Sequence, residues 1–156
     1  MGVAGSGKTT VGRALAAELG WKFDDADQHH SPANIAKMRR GTALTDADRS
    51  QWLAELHAVV ERAIDRREHL VLACSALKER YRDALRGGLR PVRFVHLEAD
   101  EATLRRRLDT RTGHFVGAEI LPSQLAALER PHDAVVVDAA KSPSAIVAEI
   151  RRQLGL

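Results

Sequence analysis

The sequence predicts an α/β fold in which a mostly parallel sheet is covered by helices on both faces. Three observations predict it. Apolar, strand-like runs alternate with helical patterns along the chain, the rhythm of βαβ units. Gly2-Val3-Ala4-Gly5-Ser6-Gly7-Lys8-Thr9 fits the pattern G-x-x-x-x-G-K-[ST], and an amphipathic helix follows at once, with Val11, Leu15, Ala16 and Leu19 on one face. Groups suited to chemistry (Asp25 and Asp27, Ser75 to Lys78, and the segment around Asp138) fall just after strand ends, where ligands of such folds sit.

The elements follow in order. Trp21-Lys22-Phe23 reads as a short strand ending at Asp24-Asp25. Ser31 caps a helix with Pro32 at its first position and Gly41 beyond its end. Asp46 is expected to cap a longer helix, with Trp52, Leu56, Val59, Ala63 and Ile64 on one face. His69–Cys74 reads as a buried strand, Leu77–Arg86 as a helix stopped by Gly87-Gly88, and Val92–Leu97 as a strand. Asp100 caps a helix through about Asp109, and Thr110–Gly117 is irregular and polar. A short helix over Pro122–Leu128, a strand over Ala134–Asp138 and a last helix from Pro143 to about Leu154 complete the chain.

Composition narrows the function classes. A chain of 156 residues suits one domain with a real core. Hydrophobic content of 44% and charged content of 29% are those of an ordinary globular protein. Lys plus Arg number 24 against 21 for Asp plus Glu, a net charge of +3, too small to argue for a nucleic-acid partner. Cys74 is the single cysteine, so no internal disulfide forms, which fits a reducing cytoplasm. No apolar run is long enough to span a membrane and no signal peptide is visible.

The glycine-rich segment is a phosphate cradle. A nucleoside triphosphate carries several negative charges and needs many donors packed closely around it. Glycines let successive N–H groups turn inward, and the following helix aims its positive end at the phosphates. Gly2, Val3, Ala4, Gly5, Ser6, Gly7, Lys8, Thr9 and Thr10 are therefore the expected ATP-binding residues. Lys8 is expected on the β- and γ-phosphates and the Thr9 hydroxyl on Mg²⁺. The context of such a loop is strand, loop, helix, yet only Met1 precedes Gly2, so the first strand is missing from this sequence. About five buried apolar residues at ~1.5–3 kcal/mol each amount to on the order of 10 kcal/mol. That approaches a domain's whole net stability of ~5–15 kcal/mol. The expectation is a native start further upstream, with Met1 ending that strand, which mass spectrometry of the native N-terminus checks.

A second constellation supplies acceptor chemistry. Asp25 and Asp27 lie two apart in a segment expected to be extended, so they are expected on one side. Phosphoryl transfer needs a group to orient or deprotonate the attacking hydroxyl, and carboxylates near Mg²⁺. Asp25 is assigned to the metal and Asp27 to the hydroxyl; Asp24 reads as a turn residue. Arg107 and Arg111 flank one helical turn, and Gly113 then permits a bend, so the pair is suited to clamp phosphate oxygens. Arg105 and Arg106 read as a solvated face. Lys78 and Arg82, one turn apart beyond a strand end, are expected at the substrate, with Arg49 a further candidate. His114 either touches substrate or packs in a lid. Trp52 and Cys74 read as core.

These blocks resemble the signature of gluconate kinases. The run Asp25-Ala26-Asp27-Gln28-His29-His30 continues to Asn34, Lys37-Met38, Gly41, Leu44, Asp46, Asp48-Arg49 and Trp52-Leu53. It is similar to D-x-D-x-x-H-x-x-x-N-x-x-K-M-x-x-G-x-x-L-x-D-x-D-R-x-x-W-L, and the spacing to Asn34 selects His30 over His29. Further blocks are Ala73–Lys78 with Tyr81-Arg82-Asp83; Arg107-Leu108, Arg111, Gly113-His114-Phe115 with Ser123-Gln124; and Val135–Asp138. Ser31 stands where proline is common after the histidine, and Ala26 where glycine is common.

The resemblance implies a cytoplasmic kinase that uses Mg-ATP to convert D-gluconate to 6-phospho-D-gluconate, in a nucleoside-monophosphate-kinase-like fold of three α/β/α layers. It also implies a homodimer as a common state. The chain is read as one domain, residues 1–156, with a substrate-binding helical segment at about 28–66 and a lid at about 107–120. The alternatives are a shikimate- or nucleotide-kinase-like activity, or a truncated and inactive nucleotide-binding protein.

Overall fold

The computed structural model describes residues 1–110 and 118–156. The alternation of strand and helix holds throughout. Helix α1 (Lys8–Leu19) leads to strand β1 (Lys22–Asp25), a 3-10 turn (Ala26–His29), α2 (Pro32–Arg39) and α3 (Asp46–Asp65). Then come β2 (Leu70–Ala73), α4 (Glu79–Arg86), β3 (Phe94–Glu98) and α5 (Glu101–Asp109). A short 3-10 segment, α6 (Leu121–Ala127), β4 (Ala134–Asp138) and α7 (Pro143–Leu154) finish the chain.

The expected single sheet is instead two parallel pairs. β1 pairs with β2, Phe23 opposite Val71, and β3 pairs with β4, His96 opposite Val136. Among the described residues no strand precedes the glycine-rich loop, and one extended residue bridges the pairs. The Met1 amino group donates to the Val95 carbonyl, and the Leu97 amide donates to the Met1 carbonyl at 2.9 Å, the pattern of a parallel ladder. The Gly2 amide then donates to the Ser75 carbonyl at 3.2 Å, just beyond β2. Next to this bridge, β2 and β3 wall a largely apolar cavity of about 510 Å³, reached also by Val11 and Leu15 of α1 and Ile150 of α7. The buried Met1 ammonium is pushed down to about 5, by desolvation first and then by the charge of Lys8.

Three apolar clusters carry the packing. Val11 and Leu15 of α1 meet Leu97, Val137 and the α7 residues Ile146, Val147 and Ile150. Trp52, Leu53 and Leu56 of α3 meet Ala26, Cys74, Tyr81 and Leu85. Val3 of the loop meets Leu77, Leu104 and Leu108 of α5 and Leu121 of α6. Trp52 and Cys74 are thus core, as expected. Burial pushes the Cys74 thiol up to about 11, so it is inert as a nucleophile.

Element ends move where local bonds compete. Helix α3 is capped by Thr45 rather than Asp46, because Thr45 and Asp48 form a reciprocal capping box. The Asp48 amide donates to Thr45 Oγ1 at 3.2 Å, and the Thr45 amide donates to Asp48 Oδ2 at 2.9 Å. Asp46, freed from capping, accepts from Tyr81 and Arg80. Helix α4 starts at Glu79 rather than Leu77, because the Leu77 carbonyl accepts from Arg82 and from the Glu129 amide. Ser31 caps α2 as read, with Pro32 in the first turn.

Asp48 also ties α2 to α3. Its Oδ1 accepts from Lys37 Nζ at 2.6 Å, and its carbonyl accepts from Asn34 Nδ2 at 2.9 Å. Lys37 first, and then the Thr45 amide and hydroxyl, hold the Asp48 carboxyl down to about 2. A folded-state value below the unfolded one adds stability that is present above about pH 4 and lost as the pH falls through about 2. Denaturant melts from pH 5 to pH 2 are therefore expected to show a shallower acid decline in Asp48→Asn than in the wild type. Parallel declines contradict this.

Candidate active site

The glycine-rich loop is wedged between β3 and α5. Gly2 has φ 146° and Gly5 has φ 79°. A Cβ at Gly2 would lie 2.8 Å from the Leu97 carbonyl oxygen, and one at Gly5 would lie 2.9 Å from the Leu104 carbonyl oxygen. Sterics and backbone conformation thus both require glycine there. Lys8 Nζ folds over the loop and donates to the Val3 carbonyl at 2.9 Å. The Ala4 amide donates to Gln124 Oε1 at 2.6 Å. Gln124 was not assigned a role from the sequence; its place in the Ser123-Gln124 block was the available signal. Ser6 is buried, and its Oγ has no partner among the described residues.

The start of α1 meets the end of β1 through one bond. Thr9 Oγ1 donates to Asp25 Oδ2 at 2.9 Å. The other carboxylate oxygen of Asp25 accepts from the Asp27 amide at 3.2 Å and caps the 3-10 turn. Asp27 therefore lies in that turn and not in an extended segment, which corrects the expected geometry of the pair. The Asp27 side chain is exposed and its carboxylate makes no hydrogen bond among the described residues. Asp24 is structural, as read: it accepts from the Asp25 amide at 2.8 Å and bonds His29 Nε2 at 2.9 Å.

The cations fall into two groups. Arg107 on α5 is part-buried and donates to the Ala139 carbonyl beyond β4 at 2.7 Å. Arg105 pairs with Glu101 one turn away and is a surface residue, as read. Arg111 and His114 lie outside the described residues. Lys78 and Arg49 gather at Tyr81, whose ring lies 5.6 Å from Lys78 Nζ and 5.8 Å from Arg49 Cζ. Arg49 also donates to the Leu44 carbonyl, and Lys78 lies 3.7 Å from Asp46. The Tyr81 hydroxyl first, and Arg80 after it, hold the Asp46 carboxyl below its ordinary value. This knot at Asp46 was not read from the sequence, where Asp46 passed as a helix cap.

Arg82 corrects an expectation. It was read as a substrate contact with Lys78, but it is 4% exposed, and its Nη1 donates to the Ala76 and Leu77 carbonyls at 3.0 and 3.1 Å. Those two bonds hold the loop between β2 and α4, where Ala76 has φ 43°. Arg82→Gln is expected to cost on the order of 2–4 kcal/mol of stability in denaturant melts, because buried carbonyls lose a charged donor. The folded variant is expected to keep its substrate KM within about twofold. An unchanged melt with a large rise in KM contradicts this assignment.

The chain is similar to known proteins over nearly its whole length. The AAA domain family matches residues 1–131. A gluconokinase of Gluconobacter oxydans (strain 621H) is 46% identical over 155 residues, covering 97% of this chain and 87% of that protein. A sugar kinase from Janibacter sp. HTCC2649, solved without ligand, superposes with a TM-score of 0.92 at 42% identity, covering 99% of this chain and 91% of that one. A gluconokinase from Sinorhizobium meliloti 1021 superposes with a TM-score of 0.85 at 42% identity, covering 99% and 89%. The loop that only glycine can form, the Thr9–Asp25 bond beside it and this likeness over nearly the whole chain give one conclusion: the chain belongs to the gluconokinase family of P-loop kinases.

Proposed function

We propose that this chain transfers the γ-phosphoryl group of ATP to the primary 6-hydroxyl of D-gluconate, giving ADP and 6-phospho-D-gluconate. One observation carries the reading. Asp27, an exposed carboxylate free of hydrogen bonds among the described residues, adjoins Asp25, which is bonded to the Thr9 hydroxyl of the phosphate loop. A base two residues beyond the Thr9–Asp25 bond would suit an acceptor brought up to the phosphate loop.

Loop amides and Lys8 bind the triphosphate, Lys8 leaving the Val3 carbonyl for phosphate oxygens. The Thr9 hydroxyl and Asp25 carboxylate are hard oxygen donors side by side and suit Mg²⁺, which keeps much of its water shell. When bound, that ion offsets charge on the β- and γ-phosphates. Asp27 orients the 6-hydroxyl and accepts its proton as the new O–P bond forms and the bond to the β-phosphate oxygen breaks. Arg107 stabilises the transferring group; Arg111 and most of the segment at about 107–120 read as a lid lie outside the described residues. Lys78 and Arg49 supply positive charge for the gluconate carboxylate. No helix among the described residues is long and apolar enough to cross a membrane. The lone cysteine fits a reducing cytoplasm.

Coupled ADP-release assays with gluconate, shikimate and nucleoside monophosphates separate the possible acceptors, and gluconate is expected to give the highest kcat/KM. Asp27→Asn is expected to lower kcat on gluconate by about 10²-fold or more while the KM for ATP stays within about twofold. Unchanged turnover in that variant removes the proposed base.

A further inference from the structure

His30 stands in the acceptor half of the site and takes no part in the reactions assigned above. It directly follows the 3-10 turn Ala26–His29 and precedes the Ser31 cap of α2. Residues three apart on such a turn eclipse one another, which brings His30 to the Asp27 side. Asp27 and Arg49 are the charged side chains that act on its imidazole most strongly.

The ring is fixed in place. It stacks on Trp52 with centroids 4.5 Å apart and planes 13° from parallel. Trp52 is itself pinned, its Nε1 donating to the Ala26 carbonyl at 2.8 Å in buried surroundings. One atom of the stacked ring is unsatisfied: His30 Nδ1 is buried and has no hydrogen-bond partner among the described residues. A buried polar atom without a partner carries a desolvation cost, and its partner in the working state is to be sought in what the site binds. Packing against Trp52 alone would be served as well by an apolar ring. Burial keeps the imidazole neutral, with one nitrogen a donor and the other an acceptor. A hydroxyl, which both donates and accepts, is the matching ligand group.

We propose that His30 is a specificity-determining contact of the acceptor site, hydrogen-bonding a secondary hydroxyl of the polyhydroxy acid while Asp27 engages the primary one. The inference rests on the gluconate reading and adds which side chain reads the sugar's interior hydroxyls. A ring locked by Trp52 fixes the height of the hydroxyl chain above the 3-10 turn. A shorter or differently configured acid would leave the nitrogen unpaired, and such a site rejects ligands that lack the group.

The test is a cycle between residue and substrate. His30→Phe keeps an aromatic ring over Trp52 and removes both nitrogens. kcat/KM is measured for wild type and variant on gluconate and on its 2-, 3-, 4- and 5-deoxy analogues, with the KM for ATP alongside. The variant is expected to lose about tenfold to a hundredfold on gluconate, chiefly in KM, with the KM for ATP within about twofold. The wild type is expected to lose a similar factor on one deoxy analogue, on which the variant loses nothing further. If His30→Phe does not fold, His30→Asn carries the same cycle, with a smaller loss on gluconate and the same non-additivity. A loss on gluconate below about threefold, or one repeated in full on every analogue, overturns the inference. A wild-type chain that phosphorylates no polyhydroxy acid overturns the functional reading instead, and this inference falls with it.

Discussion

The hydrogen bond from Thr9 to Asp25 joins the two halves of the site, and the rest of the architecture serves to hold its ends. Thr9 belongs to α1, which packs on α7 and on the β1–β2 pair and shares an apolar cluster with Leu97 of β3 and Val137 of β4. Asp25 closes β1, which is registered against β2 with Asp25 opposite Ala73. The bond therefore ties the glycine-rich loop to the end of β1. It also fixes the turn that follows, because the second oxygen of Asp25 accepts from the Asp27 amide. One carboxylate thus serves loop, strand and turn, while Asp27, two residues on, is exposed.

Close main-chain packing supplies the second constraint. The loop lies against two carbonyl oxygens, Leu97 of β3 and Leu104 of α5, at distances that exclude any Cβ. Glycine allows the loop to turn its amides toward phosphate and also lets α5 approach. That approach brings Arg107 to the same end of the molecule, where it currently donates to the Ala139 carbonyl. Lys8 is likewise engaged by its own loop. Each of these two cations donates to a main-chain carbonyl.

Much of the fold was legible because its elements are strongly punctuated. Ser31-Pro32, Asp100 and Pro143 mark helix starts that the structure reproduces, and Ala134–Asp138 is a strand with the bounds read from the sequence. The cap of α3 was misplaced by one residue, since Thr45 and Asp46 both suit the position and only the reciprocal bond with Asp48 decides. The phosphate loop and Asp25 were legible as motif and spacing. Arg82 was not, because a buried guanidinium on two carbonyls has the same sequence signature as a cleft arginine. Gln124 and Asp46 stayed hidden because their partners, Ala4 and Tyr81, are 120 and 35 residues away in the chain.

The central claim is that these groups direct phosphate to one hydroxyl of one sugar acid. Two-dimensional ³¹P–¹H correlation NMR of the product formed from ATP and D-gluconate by this chain tests it most directly. The account predicts a single phosphate monoester coupled to the two protons of carbon 6, formed in step with ADP. ADP formed together with free inorganic phosphate and no ester, or a phosphate on any secondary carbon, would contradict it.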